Sequence, residues 1–154
     1  MKKLSFRTLT ADEVECRIGT YKEGKGMSLL LYKDARVDQR LLDEVVGPYN
    51  WKNSYEVVKN VLHCTVSIYD SEKNEWISKQ NCGTESFTEA QKGEASDAFK
   101  RACFNWGIGR ELYDSPFIWI RESNTETKYT KYKVTELEYD ADRKPKAVTI
   151  INVS

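Results

Sequence analysis

The strongest constraint on the fold is a change in the period of the apolar residues. Leu62, Cys64, Val66 and Ile68 occupy alternate positions, the pattern of one face of a β-strand. Further along, Ala95, Ala98, Phe99, Ala102, Cys103 and Trp106 recur three and four positions apart, the pattern of one face of a helix. Between them "SEKNE" reads as a hairpin turn and "WISKQNCGTES" as a return strand. An antiparallel strand pair is therefore followed by a helix. Most of that helix's apolar stripe is small, so its backbone can lie close against a sheet. Thr88 with Gln91 three residues on reads as a capping box, and Gly107 and Gly109 mark the helix end.

The remaining elements fill in around this pair. "VECRIGTY" sets Val14, Cys16 and Ile18 on one side of a strand, "KEGKG" is a turn and "MSLLLY" a second strand. Val37, Leu41, Leu42, Val45 and Val46 fall at helical spacing, and Gly47-Pro48 stops that helix. "SYEVVKNVLHCTVSIYD" reads as one long β-rich stretch. "SPFIWIRE" is a short apolar strand, and the region from Tyr132 to Val153 is a C-terminal hairpin that either extends the sheet or offers an edge to a neighbouring chain. Written as an order this is β-β-α-β-β-α-β-β. The class it implies is α+β, an antiparallel sheet with helices on one face. A length of 154 residues suits one domain spanning 1–154.

Much chemistry is excluded. Four cysteines, Cys16, Cys64, Cys82 and Cys103, stand singly and form neither a zinc pattern nor a disulfide framework. His63 is the single histidine, and on a strand it points away from its neighbour Cys64. No phosphate-binding Walker loop and no G-x-S-x-G elbow occurs, and "GIGREL" follows a helix rather than a strand. These absences lead to the expectation of no enzyme, no metal, and no nucleotide or other cofactor. No apolar run is long enough to span a bilayer and the first residues do not read as a secretory signal, so a cytoplasmic protein with free thiols and no membrane partner is expected. Lysines and arginines equal aspartates and glutamates, so any polyanion site has to be built by local position rather than by bulk charge.

"QKGEASDAFKRACFNWGIGRELY", residues 91–113, carries such a position. Lys92, Ser96 and Lys100 line one stripe of the helix, and Asp97 and Arg101 an adjacent one. One reading is a solvated face with an Asp97–Arg101 ion pair. The other is a phosphate ladder, with Lys supplying point charge, Ser a neutral donor and Arg a bidentate fork.

This helix resembles that of the Rad52/Rad22 family of single-strand annealing proteins. Upstream, "DARVDQRLLDEVVGPYNW" and "ADEVECRIG" resemble the family too, the latter its bacterial and phage branch, and the likeness runs over residues 11–113. The resemblance implies a β-β-β-α core similar to a double-stranded-RNA-binding domain within residues 1–120, with residues 121–154 as a C-terminal hairpin extension. It implies a homo-oligomeric ring that holds single-stranded DNA in a basic groove and anneals strands in recombination and repair, as phage recombinases do. Family groove residues carry over to Arg36, Tyr49, Lys92, Lys100 and Arg101. Tyr49, Tyr69 and Trp76 are further candidates for stacking, weighed against core or hairpin packing. An RNA-binding or double-stranded-RNA-binding module without annealing activity is the alternative.

Overall fold

In the computed structural model of the chain, described for residues 3–84 and 90–154 with the side chains of 90–92 left aside, the elements run β1 (Glu15–Lys22), β2 (Gly26–Tyr32), α1 (Ala35–Val46), β3 (Trp51–Val58), β4 (Val61–Asp70), β5 (Glu75–Cys82), α2 (Ala90–Asn105), β6 (Ile118–Arg121), β7 (Tyr132–Tyr139) and β8 (Pro145–Asn152). All pairings among the described strands are antiparallel, and the class is α+β. Two units interleave along the chain. One is Met1–Arg7 with Ala35–Gly109, the other Thr8–Asp34 with Arg110–Ser154.

The first unit is a β3-β4-β5 meander with α2 packed across β4 and β5. The alternating residues Cys64, Val66 and Ile68 meet Ala98, Phe99, Ala102 and Cys103, and each of the seven is at most 4% exposed. Complete burial of an Ile- or Phe-sized side chain is worth about 1.5–3 kcal/mol, so this contact dominates the unit. α1 buries Val37, Leu41 and Leu42 and lies against α2 and β3. Its end is built as the sequence requires. Gly47 adopts φ +87° and donates its N–H to the Asp43 carbonyl at 3.0 Å, and Pro48 follows. The Trp51 indole N–H then donates to Asp43 Oδ1 at 2.7 Å, fixing the helix end to the start of β3.

The expected elements are corrected in one place. The stretch from Ser54 to Asp70 is two strands, because Lys59 (φ +51°) and Asn60 (φ +64°) form a two-residue turn closed by the Val58–Val61 pair. Two successive residues with positive φ match the twist of a tight hairpin. The pair carries no glycine, which is why the turn is hard to read. The apolar segment after α2 forms β6, the short strand expected there, and with it counted beside the C-terminal hairpin the order is β-β-α-β-β-β-α-β-β-β.

The second unit is a β1-β2-β6 sheet with β2 at its centre, and β7-β8 as a separate two-stranded hairpin. The C-terminal hairpin thus stands as its own sheet. Glu111 Oε1 accepts the Leu9 N–H at 2.8 Å, and the Tyr139 hydroxyl donates to the Leu9 carbonyl at 2.6 Å, so this one residue ties β7 to the 3-10 turn at Arg110–Asp114. Leu9, Val14, Met27, Leu29 and Val134 are buried. Among the described residues no helix is long and apolar enough to cross a membrane.

Candidate nucleic-acid interface

α2 is held to the sheet by its own polar residues as well as by its apolar stripe. Gly83, just beyond β5, comes so close to the helix that an added Cβ would lie 2.3 Å from the Glu94 carbonyl oxygen and 2.6 Å from the Ala98 nitrogen. The Glu94 carboxylate accepts the Leu62 N–H at 2.9 Å, and the Gly83 N–H donates to the Leu62 carbonyl at 3.1 Å. One helical turn on, Asp97 Oδ2 accepts both the N–H and the hydroxyl of Thr84, at 2.9 and 3.1 Å. The same oxygen accepts Arg101 Nε at 3.0 Å. Arg101 is therefore mounted on a carboxylate that is itself anchored to the end of a strand.

The other expected site residues are distributed along this unit. Lys100 is half-buried beside Arg101 on α2, and the Lys92 side chain lies outside the described residues, as does the capping box expected of Thr88 and Gln91. Arg36 is exposed in the first turn of α1. Tyr49 is 93% exposed in the turn beyond the other end of α1. A rise of 1.5 Å per residue separates these two by roughly 15–20 Å, so Arg36 and Tyr49 do not share one small pocket. Tyr69 and Trp76 pack on each other across β4 and β5, with ring centroids 5.4 Å apart at 59°, and Lys52 Nζ lies 4.3 Å from the Trp76 ring centre. These two rings serve the hairpin.

Sequence reading missed Lys79. It lies on the helix-covered side of β5, with Nζ 5.1 Å from the centre of the Trp106 ring, and the Trp106 indole donates to the Val66 carbonyl at 3.0 Å. The period-2 order of Ile77, Lys79 and Asn81 would have put it there. Asn81 and Asn105 were also overlooked. Asn105 donates to the Gln80 carbonyl at 3.0 Å, and Asn81 Nδ2 lies 3.4 Å from the Arg101 carbonyl, closing the helix end on β5. Under the helix, burial raises the Cys64 thiol, and burial together with Cys64 raises the Tyr55 phenol. Both stay protonated at neutral pH, so neither adds charge to this surface. No cluster of His, Cys, Asp and Glu among the described residues could hold a metal ion.

The fold is an antiparallel α+β scaffold whose second helix is anchored to its sheet. Residues 6–131 match the Rad52/22 family of double-strand break repair proteins, and the chain belongs to that family. It is similar to the single-stranded DNA-binding protein DdrA of Deinococcus radiodurans, with 38% identity over 93 residues. That match takes in 59% of this chain and 43% of the relative, so the chain spans less than half the length of that protein. No solved structure matches the chain.

Proposed function

We propose that this chain binds single-stranded DNA through its phosphate backbone and anneals complementary strands during recombination and repair. The observation that carries the reading is the mounting of α2. Lys100 and Arg101 sit on a helix clamped to β4 and β5 through Gly83, Glu94 and Asp97, in a member of a family of break-repair proteins. The DNA path runs along Lys92, Lys100 and Arg101, with Arg36 and Tyr49 at the ends of α1. Phosphate contacts of this kind hold a strand without reading its sequence, and annealing needs no bond to be made or broken, so no catalytic residue is assigned. A homo-oligomeric ring repeats the same few cations along one strand, which lets a chain of zero formal net charge hold a polyanion. The setting is the cytoplasm.

The test is a salt titration of single-stranded DNA binding. Lys100→Ala and Arg101→Ala are each expected to weaken binding equally on any sequence and to flatten the log–log salt dependence by about 0.7 per lost contact. Annealing falls in parallel while the melting temperature holds. An unchanged affinity and slope in the folded double variant would remove the site. Light scattering tests the ring: a monomer both with and without DNA sinks it. Competition by an RNA duplex distinguishes the RNA-binding alternative.

A further inference from the structure

The second unit carries a surface that none of the residues above explains. In an antiparallel sheet directly opposed residues share a face. On one face of β1-β2-β6, Met27 opposes Ile120 and Leu29 opposes Ile118, and Met27 and Leu29 are 0% and 4% exposed. That is the covered face. The other face carries the rows Glu15–Tyr32, Arg17–Leu30, Ser28–Trp119 and Lys22–Gly26–Arg121. Its small central residues Gly26 and Ser28 are buried, but its large side chains reach solvent: Leu30 is 46% and Trp119 37% exposed, while Phe117, immediately before β6, reaches 82%.

Three aromatic rings and three cations stand on this open face. Phe117 and Trp119 are nearly parallel, with centroids 6.4 Å apart and planes at 17°. The Arg17 guanidinium lies 5.2 Å from the centre of the Tyr32 ring. Phe117, Trp119 and Arg121 alternate along an edge strand, and alternate side chains on a strand are about 6.6 Å apart. Gly26 contributes no side chain between Lys22 and Arg121. A pair of parallel rings with its outer member bare to solvent, next to cations on the same face, is the arrangement that receives unpaired bases and their phosphates.

We propose that the open face of the β1-β2-β6 sheet is a base-stacking surface for single-stranded nucleic acid, with Phe117 and Trp119 as the stacking residues and Arg17, Lys22 and Arg121 facing phosphates. The proposal rests on the single-stranded DNA reading and adds base contacts to the phosphate contacts of α2. Charge decides against a second copy of the chain as the occupant. An isologous contact would lay this patch on itself, bringing three cations against three, with only Glu15 on each side to offset them.

The experiment compares two ligands of equal length, a mixed-sequence DNA strand and a strand with abasic sites throughout. Phe117→Leu/Trp119→Leu keeps apolar side chains but removes both rings. It is expected to lose at least about fivefold in affinity for the base-bearing strand and to bind the abasic strand as the parent does. Lys100→Ala/Arg101→Ala should weaken both. Equal binding of the base-bearing strand by parent and ring-less variant overturns the stacking surface and leaves the phosphate site standing, as does an equal loss on both strands. A fall in assembly mass on removing the rings, with affinity unchanged, makes the face an interface between copies and likewise overturns it. A parent that binds neither strand removes both readings.

Discussion

One oxygen, Oδ2 of Asp97, accepts hydrogen bonds from the N–H and hydroxyl of Thr84 and from Arg101 Nε. The first two join helix to strand; the third orients a cation. The i,i+4 spacing makes the Arg101 contact readable from sequence, whereas Thr84 is joined to Asp97 only by the fold. The two partners should therefore respond differently to mutation. In Arg101→Ala the loss is a half-exposed ion pair worth about 0.3–0.5 kcal/mol, so the melting temperature barely moves and DNA affinity falls. In Asp97→Ala the Thr84 amide loses a charged acceptor, at a cost of about 1–2 kcal/mol. Its melting temperature should drop by several degrees, while affinity holds or rises because a carboxylate beside the cations has gone. Calorimetry and binding on the same two variants check this, and the reverse ranking would detach Asp97 from the helix anchor.

At the scale of elements, the small apolar stripe of α2 announces a helix lying close on a sheet, and the structure shows how close. Gly83 is the strand-end residue that permits the approach, since the atoms an added Cβ would meet belong to the helix backbone and cannot rotate aside. Gly83→Ala is expected to destabilise the fold by at least about 2 kcal/mol, seen as a lower urea midpoint at an unchanged slope. A midpoint within error of the parent would mean that the helix can shift outward at little cost. The elements legible in the sequence have local causes: the alternation of β4, the Gly47-Pro48 stop, and the turn after Asp70, where Asn74 takes φ +54°. Those that escaped lack a local mark. Lys59 occupies a left-handed conformation that lysine seldom adopts, so nothing in "VVKNV" separates β3 from β4. Gly83 looks like any loop glycine until α2 is laid beside it.

For the whole molecule, the division into two units was not legible, because the second unit depends on β2 pairing with β6, Gly26 against Arg121, across the whole of the α1 to α2 region. Nothing near either strand encodes that partner. What the pairing assembles is a unit with three strongly perturbed phenols. Tyr21 donates to Glu122 Oε1 at 2.6 Å, and that bond, with partial desolvation, pushes its pKa up to about 12. Burial, then the hydrogen bond to Glu126, pushes Tyr132 up to about 12. Burial, with Glu111 and Glu13 nearby, raises Tyr139 as well. Each phenol holds its proton more tightly folded than unfolded, where it titrates near 10. Their contribution to stability is therefore complete below about pH 10 and is lost as pH rises through the raised folded values, about 12 for Tyr21 and Tyr132. Ionised, Tyr21 and Tyr132 would face carboxylates with no proton between them, and Tyr139 would lose its hydrogen bond to the Leu9 carbonyl. The second unit should accordingly come apart in alkali, with a late rise in tyrosinate absorbance that coincides with loss of β-sheet circular dichroism. Tyr21→Phe/Tyr132→Phe should shrink that late rise and weaken its pH dependence, leaving the protein less stable at neutral pH but less sensitive to alkali. Ionisation of all nine tyrosines near pH 10, with the fold intact, would show that these carboxylate-bound phenols do not hold the unit together.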